Sequence, residues 1–303
     1  MIRIVIVNWN AGSQLLDCIR SIQDHENSLV EDIVVVDNGS TDDSVFAIKD
    51  LAGVTLIEAG KNLGFARACN LGAQGAKSEY LLFLNPDTRL FADSVIEPLN
   101  FMQQKRNSEI GICGVRLVDE RGGFTTSAAR FPTLRVMAGK ILCLSSVMPK
   151  LFLRHQMSSV ELSESCFVDQ IIGAFFLIRK SVFDRCGGFD ERFFVYFEEV
   201  DLSLRANHLG YSSYYLANVT AFHKGGGCSN RVKSTRLFYS LRSRIIYARK
   251  HYSRFEFAVL IVLTAIELPL RVTNGLFKFS LSDVSNTCLA YWNVSTNFLR
   301  NRR

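Results

Sequence analysis

The sequence predicts an α/β fold: a mostly parallel sheet flanked by helices, with a C-terminal helical extension. Three observations predict it. Short apolar, β-branched runs alternate with helical spacings from the first residues onward, each run ends in a polar cluster, and the chain past residue 225 turns basic and then apolar. Strand and helix in strict alternation imply parallel strands joined by crossovers, with helices on both faces.

Ile2 to Val7 is an apolar run read as a buried parallel strand. Ser13 to Gln23 places Leu15, Leu16, Ile19 and Ile22 on one helical side. Asp32 to Val36 is a second strand, running into Asp37-Asn38-Gly39-Ser40. Thr41 to Leu51 reads as a helix capped by Thr41 or Asp42. Val54 to Glu58 is a third strand, Phe65 to Ala76 a helix, and Tyr80 to Leu84 a fourth strand ending at Asn85-Pro86-Asp87. Ile110 to Val118 is a further strand, and residues 119–165 read as an insertion or substrate loop. Phe167 to Ile178 reads as strand-like core, and Tyr214 to Phe222 as the strand before His223. Two parts are expected: a domain over 1–225, with halves at about 1–110 and 111–225, and the extension over 226–303.

The 303 residues, 48% hydrophobic and 21% charged, suffice for one large folded domain with an appendage and argue against wholesale disorder. Eight cysteines without CxxC spacing argue against a zinc module or a disulfide framework and fit thiols in a reducing compartment. The N-terminal apolar run is too short for a secretory leader. The net charge of +6 is concentrated: between Leu202 and Phe255 stand ten Lys and Arg and no acid. Such a field attracts phosphates, nucleic acid or anionic lipid, or is a solvated face with no partner. No nucleic-acid motif accompanies it, so nucleic acid is not expected. Phe257 to Val272 is apolar but interrupted by Glu267, Pro269 and Arg271, short of the roughly 20 residues that span a bilayer. A buried helix, or one in the membrane interface, is expected.

Ligands of open parallel sheets bind beyond the carboxyl ends of the strands. Three polar clusters, Asn8–Asn10, Asp37–Ser40 and Asn85–Thr88, fall at such ends. Asp37 can accept hydrogen bonds from a ribose or base, or simply close an Asx turn. Gly64 permits a tight turn into a helix whose free N–H groups suit an anion, or serves an ordinary loop. Asp87 can bind a divalent metal that holds a diphosphate, or cap a turn. Gly187 to Arg205 runs aromatics into Glu198, Glu199 and Asp201 at a helix start, with Val200 and Leu204 on the buried side. These acids suit the helix dipole, and Asp201 with Arg205 makes a helical pair. An acid beside aromatics and a second acid can also carry a raised pKa and act as a general base. His223, ahead of Lys224 and Gly225-Gly226-Gly227, fits a metal ligand or phosphate contact beside a lid, or a structural histidine.

Over about residues 1–250 the chain resembles the family 2 glycosyltransferases, in particular the bacterial rhamnosyltransferase-like members. The resemblance rests on five motifs in order: VIVNWN (Ile4–Asn10), VVVDNGSTDDS (Val34–Ser44), NLGFARACNLG (Asn62–Gly72), LNPDT (Leu84–Thr88) and GGFDERFFVYFEEVDLSLR (Gly187–Arg205). It implies a GT-A, Rossmann-like fold and an inverting transfer of a hexose, with rhamnose favoured, from a nucleotide-diphosphate donor. Asn8, Asn10, Asp37, Asn38 and Gly39 would lie along the nucleoside, with Asn62, Gly64, Phe65 and Asn70 lining the nucleotide pocket. Asn85 and Asp87 match the family's DxD motif, where Asn85 replaces the first acid. Asp87, with His223, would hold Mg2+ or Mn2+. Glu199 falls at the catalytic base, and Glu198 beside it is a rival. Lys224, Arg242 and Arg244 are candidate phosphate partners. The expected partners are dTDP-rhamnose or a similar nucleotide sugar, a glycan or polyprenyl-diphosphate-linked acceptor, and the inner-leaflet surface, for a cytoplasmic, peripheral enzyme of cell-surface polysaccharide synthesis such as O-antigen. The rival reading is a non-catalytic glycan-binding or assembly protein on the same fold. A nucleotide-sugar oxidoreductase would need GxGxxG after the first strand, where this chain has NWNAG.

Overall fold

The computed structural model describes residues 1–25, 29–225 and 233–300. The strands are β1 (Ile2–Asn8), β2 (Val30–Asp37), β3 (Val54–Glu58), β4 (Tyr80–Leu84), β5 (Thr88–Leu90), β6 (Ile110–Val118), β7 (Ala128–Ala129), β8 (Cys166–Val168), β9 (Gln170–Ile171), β10 (Phe175–Arg179) and β11 (Ser212–His223). The helices are α1 (Ser13–His25), α2 (Phe65–Ala73), α3 (Ile96–Gln103), α4 (Leu134–Ile141), α5 (Leu144–Val147), α6 (Lys180–Cys186), α7 (Glu198–His208), α8 (Lys233–His251), α9 (Arg254–Phe277) and α10 (Leu281–Arg300).

One sheet runs β3-β2-β1-β4-β10-β6-β11-β5, with β8 also on β11. The first four in this order are mutually parallel. β10 enters antiparallel between β4 and β6, whereas β11 runs parallel to β6. The pleat sorts β1 by alternation: Ile2, Ile4 and Ile6 join the core under α1 and α3, while Val5 and Val7 join the core with α2 and α7. Both faces are covered, which is why these strands read as unbroken apolar runs rather than alternating ones.

Two expected elements take other forms. Residues 41–51 do not make a helix; only Phe46–Ile48 closes a 3-10 turn. The reason is local competition: the Asp42 carboxylate accepts from Gly12 N at 2.8 Å and from the Ser44 amide and hydroxyl, which favours a loop over a helical ladder. The single expected strand over 167–178 is three short ones, β8, β9 and β10, with Gly173 and Ala174 in the bend before β10. On α7 it is Val200, Leu202 and Ala206 that are buried, and Leu204 is half-exposed. Residues 119–165 carry β7, α4 and α5 rather than loop alone.

The chain divides into two compact units. The α/β unit comprises Met1–Phe131, Gln156–Glu191 and Glu198–Cys228, and the helical unit Pro132–His155, Arg192–Phe197 and Ser229–Arg303. The helical unit therefore takes in two segments from within the stretch expected for the first domain. Its core packs Val136, Met137 and Ile141 of α4 against Ala248 of α8 and Leu260 and Leu263 of α9. α9 opens with a capping box in which Ser253 and Glu256 satisfy each other's backbone N–H groups. No helix among the described residues is long and apolar enough to cross a membrane.

Candidate active site

The parallel register aligns the carboxyl ends of β1, β2 and β4. Asn8 stands opposite Asp37, and Ile6 opposite Leu84. The three polar clusters thus share one sheet edge, as the alternation of elements implied.

At the β1–β2 corner, Asn8 is fully buried. Its Nδ2 lies within hydrogen-bond distance of Asp37 Oδ1 (3.0 Å), Ser40 Oγ (3.0 Å) and Ser44 Oγ (2.8 Å), and its Oδ1 has no partner among the described residues. Asp37 Oδ2 accepts the Ser40 amide at 3.2 Å, so the Asx turn and the polar edge coexist. Asn10, in the left-handed region at φ 54°, accepts from Thr41 N at 2.7 Å. Ser40, within the expected polar cluster, and Ser44, four residues on, complete this corner through Asn8.

Asn38 ties this corner to the loop ahead of α2. It donates to Asn62 Oδ1 (3.1 Å) and Gly64 O (3.3 Å) and accepts from Leu63 N (2.7 Å). Asn62 accepts from Gly64 N, and Gly64 enters α2 at φ 86°. Gly39, at φ 77°, has no room for a side chain, since a Cβ there would stand 2.8 Å from the Lys61 carbonyl carbon. The amide groups of Asn38 and Asn62 therefore build the loop that a donor would meet.

Asn70 has a different place from the one expected. Its Nδ2 donates to Phe189 O (2.8 Å) and Glu191 Oε1 (3.1 Å), and its Oδ1 accepts from Phe189 N (2.9 Å). The side-chain amide brackets the segment leading to α7. Gly188 makes the bracket fit, because a Cβ there would fall 2.8 Å from Asn70 Oδ1.

Glu198 and Glu199 are the first two residues of α7, reached through consecutive left-handed residues, Tyr196 (φ 69°) and Phe197 (φ 71°). Two such bulky residues in sequence are strained and need support from their surroundings. That support comes from α8: Phe194 stacks on Tyr239 at 4.5 Å, Phe197 packs on Tyr247, and the Ser243 hydroxyl donates to Val195 O at 2.8 Å. Asp201 is fully buried and pairs with Arg205 at 2.7 Å, as the four-residue spacing suggested. Glu198 is buried; Glu199 is half-buried, and its Oε2 has no hydrogen-bond partner among the described residues. Burial pushes the Glu199 carboxyl up to about 7, against the lowering effect of the Glu199 and Val200 amides.

The other acid, Asp87, is buried, with Oδ1 3.4 Å from His223 Nε2. The pairing is built in by the sheet, because His223 of β11 stands opposite Thr88 of β5 and Lys224 N donates to Asp87 O at 3.2 Å. Gly226 and Gly227 of the expected lid lie outside the described residues. A succession of neighbours links Asp87 to Glu199. Asn85 N donates to Ala174 O, and the adjoining Gly173 lies against the Phe65 ring. One turn after Phe65, the Cys69 thiol is raised by burial and then by the charges of Glu198 and Glu199. Asn85 and Phe65 thus both neighbour the Gly173–Ala174 turn, and the α7 carboxylates lie within electrostatic reach of Cys69.

Lys224 is exposed and Arg242 half-buried. Arg244 is buried in the helical unit and donates to Glu267 Oε2 at 2.7 Å, a carboxylate it shares with Arg271.

The α/β sheet thus carries three polar clusters at one edge, an acid–histidine pair and a carboxyl with a raised pKa. Residues 3–187 match the model of the family described as glycosyl transferase family 2, and the chain belongs to that family. It is 27% identical over 264 residues to an N-acetylglucosaminyl-diphospho-decaprenol L-rhamnosyltransferase of Mycobacterium tuberculosis, covering 82% of this chain and 84% of the relative. It is 28% identical over 183 residues to rhamnosyltransferase WbbL of Escherichia coli, covering 58% of this chain and 64% of the relative. A mannosyltransferase of Pyrobaculum calidifontis, solved with GDP-Man and Mn2+, shares the fold with a TM-score of 0.56 at 14% identity, over 97% of this chain and 75% of that one. GalNAc-T7, solved with UDP, GalNAc and Mn2+, also gives 0.56, at 17% identity, over 74% of this chain and 43% of that one.

Proposed function

We propose that the chain is an inverting hexosyltransferase that moves a sugar, rhamnose by preference, from a nucleotide-diphosphate donor to a hydroxyl of a lipid-linked saccharide at the inner-leaflet surface. The observation that carries this reading is the state of Glu199: a carboxyl at the ligand-binding edge of the sheet, with one oxygen unpartnered among the described residues and an affinity for protons raised to about 7. A carboxylate so placed takes a proton near neutral pH, which is what a general base for an attacking hydroxyl requires. Two relatives are named as rhamnosyltransferases, one of them acting on N-acetylglucosaminyl-diphospho-decaprenol, which supports rhamnose as the sugar and a polyprenyl-diphosphate-linked acceptor. dTDP is the nucleotide we propose.

Asn8, Asp37 and the Asn38-supported loop would receive the nucleoside, with the amino end of α2 facing the diphosphate. Asp87 and His223 supply a carboxylate and an imidazole 3.4 Å apart. The carboxylate suits Mg2+ or Mn2+, and the imidazole suits Mg2+ poorly. Among the described residues no third His, Cys, Asp or Glu joins them, so oxygens of the donor diphosphate would complete the ligand set. When bound there, the metal would neutralise charge on the departing nucleotide diphosphate. Glu199 would accept the acceptor's proton as its oxygen attacks the anomeric carbon from the face opposite the leaving group, a single displacement that inverts the centre. Lys224 and Arg242 remain proposed phosphate contacts. The division into a catalytic domain over 1–225 and an extension beyond it remains part of the proposal.

A panel of nucleotide sugars, with released nucleotide diphosphate measured with and without Mg2+ or Mn2+, tests the reading. dTDP-rhamnose should be turned over fastest, and His223→Ala should raise the metal concentration needed for half-maximal rate. Binding of donors without turnover of any, with the lipid-linked saccharide supplied, would replace this reading with a sugar-binding protein.

A further inference from the structure

α9 carries apolar residues on its outward face as well as on the face turned to the core. Its 24 residues span about 36 Å. The inward face holds Leu260, Leu263, Thr264 and Gly275 together with the charged Glu267. The outward face is a stripe at helical spacing that includes Phe255, Val262, Ile266, Leu270, Leu276 and Phe277, all exposed. A soluble helix normally places polar residues there, and contiguous apolar patches of this length mark a surface with a partner.

The stripe ends in the turn to α10, where apolar exposure is greatest. Phe277 is 80% exposed, Phe279 95% and Leu281 78%. Phe279 takes φ 51°, and Lys278 stands exposed between the two rings. The turn is closed by Ser280 N donating to Gly275 O, and Gly275 lets Val284 approach within 2.8 Å of where a Cβ would be, so the loop is packed from inside while its rings point outward. Exposed cations flank the stripe, with Arg249 and Arg254 at its start and Lys278 at its end. Between Lys233 and Arg300, ten Lys and Arg stand against three Asp and Glu.

We infer that the outer stripe of α9 and the α9–α10 turn form a docking surface for an anionic phospholipid bilayer, with α9 in the interfacial plane and the Phe277 and Phe279 rings in the acyl boundary. The charge decides the occupant. An apolar stripe with exposed cations at both ends is complementary to acyl chains beneath anionic headgroups, and interfacial binding scales with both terms. A projecting turn with two aromatic rings astride a lysine matches the depth profile of an interface, where rings insert and the ammonium stays at headgroup level. The inference deepens the membrane-surface part of the proposed function and is independent of its chemistry.

Co-sedimentation of the full chain with vesicles tests it. The wild type should pellet with phosphatidylcholine vesicles containing phosphatidylglycerol and far less with phosphatidylcholine alone. Phe277→Ser with Phe279→Ser should weaken binding about ten-fold or more, with an unchanged melting curve because both rings are already in solvent. In Phe279→Trp, brominated phospholipid should quench the new fluorophore beyond the quenching of the parent chain. Three results would each overturn the inference: wild type left in the supernatant, serine variants that bind as tightly as wild type, or an indole signal in Phe279→Trp unaffected by brominated lipid. So would sedimentation velocity showing a dimer that Ile266→Asp dissociates while vesicle binding stays intact, which would assign the stripe to a second copy. Vesicle binding needs no sugar transfer, so a chain that docks but turns over no donor would overturn the proposed chemistry and leave this surface standing.

Discussion

Each of the two units withdraws a glutamate from water, and the two meet opposite surroundings. In the helical unit, Glu267 lies between Arg244 at 2.7 Å and Arg271 at 2.6 Å. Burial alone would raise its carboxyl, but the two guanidinium charges outweigh burial and hold it below the ordinary range. In the α/β unit, burial prevails at Glu199, one oxygen has no partner among the described residues, and the carboxyl rises to about 7. A buried acid with matched charge is architecture, whereas one left unmatched is a candidate reactive group.

The comparison breaks most sharply at Glu199. Glu199→Gln should lower turnover by about 10²–10⁴-fold, the range attributable to a general base, without lowering the unfolding midpoint. Full turnover in that variant would remove Glu199 from its role, and a matching loss in Glu198→Gln alone would pass the role to Glu198. Glu267→Ala should do the reverse: it strands the buried Arg244 charge and should cost about 3–5 kcal/mol in urea unfolding, with the pH profile of the folded enzyme unmoved.

Titration sharpens the contrast. Glu199 binds its proton more tightly folded than unfolded, so its contribution to stability is fully present below its ordinary value of 4.5 and is lost as pH rises to about 7. Activity should rise over the same window as the base ionises. Glu267 has the opposite sign: its contribution is present above the ordinary range and is lost as pH falls through its lowered value. Thermal melts of wild type against Glu199→Gln and Glu267→Gln, taken from acid to neutral pH, should diverge in opposite directions. The smallest expected effect is at Ser243→Ala, which frees Val195 O beside the strained approach to α7. About 1 kcal/mol of stability should go with that hydrogen bond, and turnover should fall a few-fold at unchanged KM if the bond aims Glu199.

Legibility in the sequence follows the physics of each segment. β4 and β6 are legible to the residue because both faces of the sheet are buried there, leaving apolar runs with polar stops, and β3, a half-exposed edge strand, is legible from its β-branched run. The polar clusters fall at one edge for the same reason. The stretch 41–51 misleads because helical spacing cannot show that Asp42 and Ser44 will bond to the loop instead. The 167–178 stretch reads as one strand because the bend at Gly173 leaves no break in hydrophobicity. Arg244 suggests a phosphate contact because its partner, Glu267, is 23 residues away on the next helix, and charge counts do not reveal pairing. Asn70 reads as pocket wall because its bracket with Phe189 spans 119 residues.

That last span has a consequence for synthesis. The corner at Asn8 and Asp37 is made of residues that emerge first, and β1 to β4 can pair as soon as they are out. The fastener for the approach to α7 cannot close until Phe189 has left the ribosome. A half-made chain can therefore pair the strands that carry Asn8 and Asp37 before the segment leading to α7 is fastened.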